Sequence, residues 1–174
     1  MNVLILFATI EGQTEKIARF LESEVRQAGH CATLVNALDK SEDISFDGID
    51  KVILAASVHE RRHPKWFETL LSAQSQTLSQ MDTLLISVSL MAAFPDTLKE
   101  AGEFVTEMKM RTGFNPRAEL LVAGAVKVGS YDYFSTQVLR HVVLRGEQYD
   151  IEKGDREFTD WDALKSALLE FLDS

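Results

Sequence analysis

The chain has 174 residues, enough for one domain with a core of its own, and its single cysteine, Cys31, allows neither an intramolecular disulfide nor a cysteine-based metal site. A net charge of −9 and a pI near 4.9 argue against nucleic acid as the partner and against charge-driven adhesion to anionic lipid. No stretch reaches the roughly 18 apolar residues of a membrane span, and the N-terminus lacks the basic start of a secretory leader, so the expected location is the cytoplasm.

Residues 3–8 (VLILFA) are a short continuous apolar run, as in a strand covered on both faces. Residues 13–28 follow with Ile17, Phe20, Leu21 and Val25 at helical spacing, and Gly29 supplies a stop. A second strand is expected over 31–35, then a polar connection over 38–47, then a third strand over 51–56 (KVILAA). Pro64 opens a helix through about residue 75, with Trp66, Phe67, Leu70 and Leu71 on its apolar side. Residues 82–88 (DTLLISV) form a fourth strand, 96–111 a helix with Leu98, Ala101, Phe104, Val105 and Met108 inward, and 119–125 (ELLVAGA) a fifth strand. Residues 131–144 read as a helix, and 159–172 as a final one with Trp161, Leu164, Leu168 and Phe171 in register and Thr159 or Asp160 as its cap. Strands alternating with helices predict a single α/β domain over 1–174, a three-layer α/β/α sandwich on a five-stranded parallel sheet in the order 2-1-3-4-5. Residues 127–158 exceed that minimal pattern and form an insertion before the last helix.

In such sheets ligands bind beyond the carboxyl ends of the strands. The first strand runs into Thr9-Ile10-Glu11-Gly12-Gln13-Thr14, a hydroxyl-rich turn at a helix N-terminus. Backbone N–H groups and the helix dipole favour an anion there, the two threonines add hydroxyls, and Gly12 lets the backbone approach closely. The turn contains no Lys or Arg, so it is expected to hold a phosphate by neutral donors alone. It is not a Gly-Lys-Ser/Thr loop, and GxGxxG is absent.

The pattern Thr-x-x-Gly-x-Thr after a first apolar strand resembles the FMN phosphate loop of flavodoxins. Stretches at 4–18 (LILFATIEGQTEKIA), 52–58 (VILAASV), 87–90 (SVSL), 122–128 (VAGAVKV), 131–134 (YDYF) and 158–161 (FTDW) resemble the flavodoxin-like, quinone-dependent protoporphyrinogen IX dehydrogenases (oxidases) of bacteria. The resemblance implies a flavodoxin-like fold and FMN as cofactor. It places the phosphate on Thr9, Ile10, Glu11, Gly12, Gln13 and Thr14, with Glu11 acting through its backbone. It places the flavin ring against Ser57, Val58 and His59 after the third strand and Ser87, Val88, Ser89 and Leu90 after the fourth. The implied activity is oxidation of protoporphyrinogen IX to protoporphyrin IX in heme biosynthesis, with a membrane quinone as acceptor. The small-molecule partners are then the porphyrinogen and the quinone, and a peripheral contact with the inner face of the cell membrane goes with them. A flavodoxin-type electron carrier serving a protein partner and an NAD(P)H-quinone reductase are the alternatives.

The family carries an aromatic-glycine pair in the second loop, where this chain has Ser57-Val58-His59-Glu60-Arg61-Arg62-His63. That stretch matches the zinc-protease expression HExxH, but it follows a strand directly, and Pro64 biases His63 away from helical geometry, so no metal is expected. Arg61 and Arg62 suit the propionates of a porphyrinogen, with a solvated charged loop as the plainer reading. Tyr131, Phe134, Val138 and Val142 form an apolar stripe, read as core packing or, with Arg140 and Arg145, as a quinone or membrane contact. No acid–base residue is singled out. A phosphoacceptor receiver is excluded, because Thr9-Ile10 and Ala56-Ser57 stand where its acidic residues belong, and no G-x-S-x-G elbow is present.

Overall fold

The apolar run at the N-terminus forms β1 (Asn2–Ala8), buried from Val3 onward. The structure, a computed structural model, describes residues 1–39, 44–127 and 154–174. After β1 come α1 (Gln13–Gln27), β2 (Cys31–Asn36), β3 (Lys51–Ser57), α2 (Lys65–Ala73), the short α3 (Ser75–Leu78) and β4 (Asp82–Ser89). Two 3-10 turns, Leu90–Ala93 and Pro95–Thr97, lead into α4 (Leu98–Thr112), followed by β5 (Ala118–Ala123), β6 (Ala125–Val126), β7 (Arg156–Glu157) and α5 (Trp161–Asp173). The expected helix over 131–144, with its apolar stripe, lies outside the described residues.

The main sheet has five strands, all parallel, in the order β2-β1-β3-β4-β5, and β6 and β7 form a separate antiparallel pair. Alternate residues of the central strands face opposite helical layers, which is why those strands read as unbroken apolar runs. Ile5 and Phe7 of β1, with Ile53 and Ala55 of β3, pack under α1 and α5 through Ile17, Leu21, Leu164 and Leu168. Leu4, Leu6, Leu54 and Leu85 face α2, α3 and α4 through Phe67, Leu71, Leu78, Val105 and Met108.

Pro64 stands just before α2 and Asp160 caps α5, its carboxylate accepting from Ala163 N at 2.9 Å. Thr159, the other expected cap, instead donates its hydroxyl to the Ala123 carbonyl at 2.7 Å, tying the start of α5 to the end of β5. Lys51, buried at the start of β3, donates to the Phe171 carbonyl at 2.6 Å and so satisfies the far end of α5. Among the described residues, no helix is long and apolar enough to cross a membrane.

Candidate functional site

The carboxyl edge of the sheet gathers the three expected stretches. At the first, Gly12 immediately precedes α1 in the left-handed region (φ 87°), and no side chain caps the helix. Thr9 Oγ1 accepts from Gly12 N at 2.9 Å, which closes the turn on itself and leaves the hydroxyl proton to donate elsewhere. The first amides of α1 have no intrahelical acceptor. Thr14 is fully buried in that first turn, and its Oγ1 has no hydrogen-bond partner. Such an orphan costs about 1–3 kcal/mol, a penalty that a ligand oxygen would remove. Gln13 behaves differently: its side-chain amide donates to Glu157 Oε2 and Thr159 Oγ1, both at 3.0 Å, leaving its backbone N–H for a ligand. Ile10 is exposed.

The second stretch starts with Ser57, whose buried Oγ also has no partner, on the α1 side of the sheet. Val58 N donates to Val88 O at 2.8 Å. His59 and Arg62 then exchange two backbone hydrogen bonds, of 2.9 and 3.0 Å, around Glu60 (φ 48°) and Arg61 (φ 65°). This is a two-residue hairpin turn with both central residues left-handed, a conformation that favours Asn and Gly. The two histidines of the HExxH expression therefore share no helix face. His59 Nδ1 lies 4.0 Å from Glu11 Oε1, which joins the second stretch to the first.

The two arginines expected to suit the propionates are held by acids. Arg61 pairs with Glu100, its guanidinium 5.3 Å from the centroid of the Phe104 ring. Arg62 places Nε and Nη2 on Glu68 Oε2 at 3.0 and 2.5 Å, while Arg111 grips the other oxygen of the same carboxylate. Burial alone would push the Glu68 carboxyl up, but the hydrogen bonds from Arg62 and Arg111 outweigh it and hold the group below its ordinary value. His63 is 1% exposed, its Nε2 lies 2.9 Å from Ser87 Oγ, and its Nδ1 has no partner. Burial, with Arg111 nearby, pulls its pKa down from 6.5 to about 4 despite the attraction of Glu68, so the ring is neutral.

The third stretch is more regular than expected. β4 continues to Ser89, so Ser87, Val88 and Ser89 lie in the strand, and Leu90 begins a 3-10 turn. The Ser87 side chain faces His63, and Ser89 Oγ accepts from Ala92 N at 3.3 Å.

A further residue belongs to the site. The turn after β1 contains no cation, yet Lys127, just beyond β6, donates its Nζ to the Glu11 carbonyl at 2.7 Å. The expectation that neutral donors act alone there does not take account of this lysine. It lies 116 residues from Glu11 in sequence, just after the strand that pairs with β7.

The unpartnered Thr14 hydroxyl, the open helix N-terminus and the close lysine suit the oxygens of a phosphate monoester, so the residues present fit the phosphate of FMN. The flavodoxin domain model matches residues 4–152. A protein of Escherichia coli strain K12 named protoporphyrinogen IX dehydrogenase (quinone) is 26% identical over 164 residues, covering 93% of this chain and 90% of that one. Oxidised flavodoxin 1 from Bacillus cereus superposes with a TM-score of 0.59 at 15% identity, covering 99% of this chain and 98% of that one. A cysteine-to-serine mutant of the flavodoxin from Pseudomonas aeruginosa gives 0.51 at 18% identity, covering 83% of this chain and 95% of its own. With a family match over most of its length, the chain belongs to the flavodoxin domain family, whose cofactor is FMN and whose chemistry is oxidoreduction.

Proposed function

We infer that this protein is an FMN-dependent enzyme that dehydrogenates protoporphyrinogen IX to protoporphyrin IX, with a quinone as electron acceptor, as a step of heme biosynthesis. The observation that carries the reading is the near end-to-end match to the E. coli protein of that name. The geometry adds a fitting cradle for the flavin phosphate, built from Thr9, the Gly12 backbone and Thr14. When bound, FMN supplies the two-electron chemistry.

The chain's own residues bind and orient. The backbone of Ser57, Val58 and His59 and that of Ser87 through Leu90 stand at the ends of the neighbouring strands β3 and β4, and this reading puts the flavin ring against them. Arg61 keeps guanidinium nitrogens beyond the one it gives to Glu100, and Arg62 keeps Nη1 beyond the two on Glu68, so each retains donors for a propionate. The quinone partner lives in the membrane, so a peripheral contact with its inner face goes with this reading.

Anaerobic mixing of FMN-loaded protein with protoporphyrinogen IX and menadione tests it. Porphyrin fluorescence should grow through many turnovers and need both protein and quinone. Flavin-loaded protein that yields no more porphyrin than the protein-free control would overturn the enzyme in favour of an electron carrier.

A further inference from the structure

The N-terminus of α1 collects positive features. The helix end carries about half a positive charge, and no side-chain cap offsets it. Lys127 adds an ammonium to the same spot. Its Nζ rests on the Glu11 carbonyl at 2.7 Å and lies 3.4 Å from where a Cβ on Gly12 would stand. The other lysine nearby is committed differently: Lys16 Nζ sits on Glu157 Oε2 at 2.5 Å. Among the described residues, no carboxylate lies within ion-pair distance of Lys127. An ammonium on a neutral carbonyl uses one of its three donors and leaves two.

The lysine is also held in place. β6 pairs with β7 through Ala125 opposite Glu157 and Val126 opposite Arg156. Phe158 N donates to Gly124 O at 3.0 Å, and Thr159 Oγ1 to Ala123 O at 2.7 Å. From the other side, Gln13 donates to Glu157 and Thr159. The Glu157 carboxylate is the hub of this arrangement: Lys16, Gln13 and Trp161 all donate to it, and they hold it below its ordinary value although burial pushes the other way. The two ends of the segment between β5 and α5 thus clasp the first turn of α1 and bring Lys127 over the phosphate turn.

We propose that Lys127 is the counter-charge for the phosphate of the flavin, so that the site selects the phosphorylated cofactor over riboflavin. The inference rests on the FMN reading. The hydroxyls and amides of the turn give direction, and Lys127 gives the charge that lets a dianion settle on a chain of net charge −9.

Lys127→Gln tests this without removing a hydrogen-bond donor, with Lys127→Arg as the conservative control. Quenching of flavin fluorescence on titration into apoprotein reads the affinity for FMN and for riboflavin. Lys127→Gln should raise the Kd for FMN roughly ten- to a hundredfold, leave riboflavin unchanged, and be largely rescued by Lys127→Arg. Inorganic phosphate is a second probe: it should raise the Tm of wild-type apoprotein and not that of Lys127→Gln. Equal weakening of both flavins would mean that the lysine only braces the Glu11 carbonyl, and no weakening of either would mean that it does nothing for the ligand; both overturn the proposal. If the wild-type protein binds FMN and either result appears, the cofactor reading stands without Lys127. Wild-type protein that fails to bind FMN would sink both.

Discussion

The turn after β1 buries the Thr14 hydroxyl with nothing to bond, while in the turn after β3 each of Arg61, Arg62 and His63 has a protein partner, in Glu100, Glu68 and Ser87 respectively. The two lie at the same edge of the sheet, joined by the approach of His59 to Glu11. The first keeps a buried hydroxyl that the protein does not satisfy, and the second ties its arginines to the protein's own acids. Substitutions should therefore separate binding from stability in the first turn and leave them inseparable in the second.

The largest expected effect tests the second turn. The folded pKa of His63, about 4, lies below its ordinary value of 6.5, so between these two the unfolded chain holds a proton that the folded chain refuses. Stability then falls as pH drops through that window, by about 3 kcal/mol in all. Glu68 acts in the other range. Its carboxyl is held down, so its contribution is present above its unfolded value of 4.5 and is lost only as pH falls further. The interval from pH 7 to about 4.5 thus isolates the histidine. His63→Gln keeps an amide near Ser87 and cannot titrate. Urea unfolding of both proteins across the interval should show the wild type losing stability that the variant retains. Parallel curves would mean that His63 is not buried neutral against Ser87.

Thr14→Val sharpens the contrast from the other side. Removing a buried hydroxyl that bonds nothing should leave apoprotein stability unchanged or raise it by up to about 1 kcal/mol, because the replaced atom carries a desolvation cost with no return. FMN affinity should fall about tenfold, the value of one hydrogen bond to a charged oxygen. Chemical denaturation of apoprotein and a flavin titration read the two quantities. Loss of stability in the apoprotein would show the hydroxyl to be structural and the turn to be self-satisfied like its neighbour.

The same contrast explains what the sequence could tell. The turn after β1 is legible because its chemistry is local: strand, glycine, threonines and helix start are contiguous from Ala8 to Thr14. The central strands and the helices are legible because each buried strand reads as an apolar run and each helix carries its own stripe, and their alternation gives the parallel sheet. Lys127 is not, because no local pattern ties a lysine after the fifth strand to a carbonyl 116 residues earlier. Nor are the ion pairs of Arg61 and Arg62, since Glu100 and Glu68 reach them from α4 and α2. The boundaries of the third stretch also move, because pairing of Ser89 with Ala123 carries β4 past the last obviously apolar residue.

The smallest effect concerns the backbone of the second turn. Glu60 and Arg61 both adopt positive φ, which costs L-residues other than Asn and Gly roughly 1 kcal/mol each. Arg61 cannot be exchanged without losing Glu100 and the face of Phe104, but Glu60 is exposed. Glu60→Asn should therefore stabilise the protein by about 0.5 kcal/mol, since Asn tolerates this conformation and adds none of the unfolded-state freedom of Gly. In a chain of this size that raises the Tm by about 1–2 °C. A matching rise in the urea midpoint at constant slope would assign the gain to relief of strain in the folded turn. A fall would mean that the Glu60 side chain holds the turn in place, and the hairpin would then be braced by its side chains at all four positions.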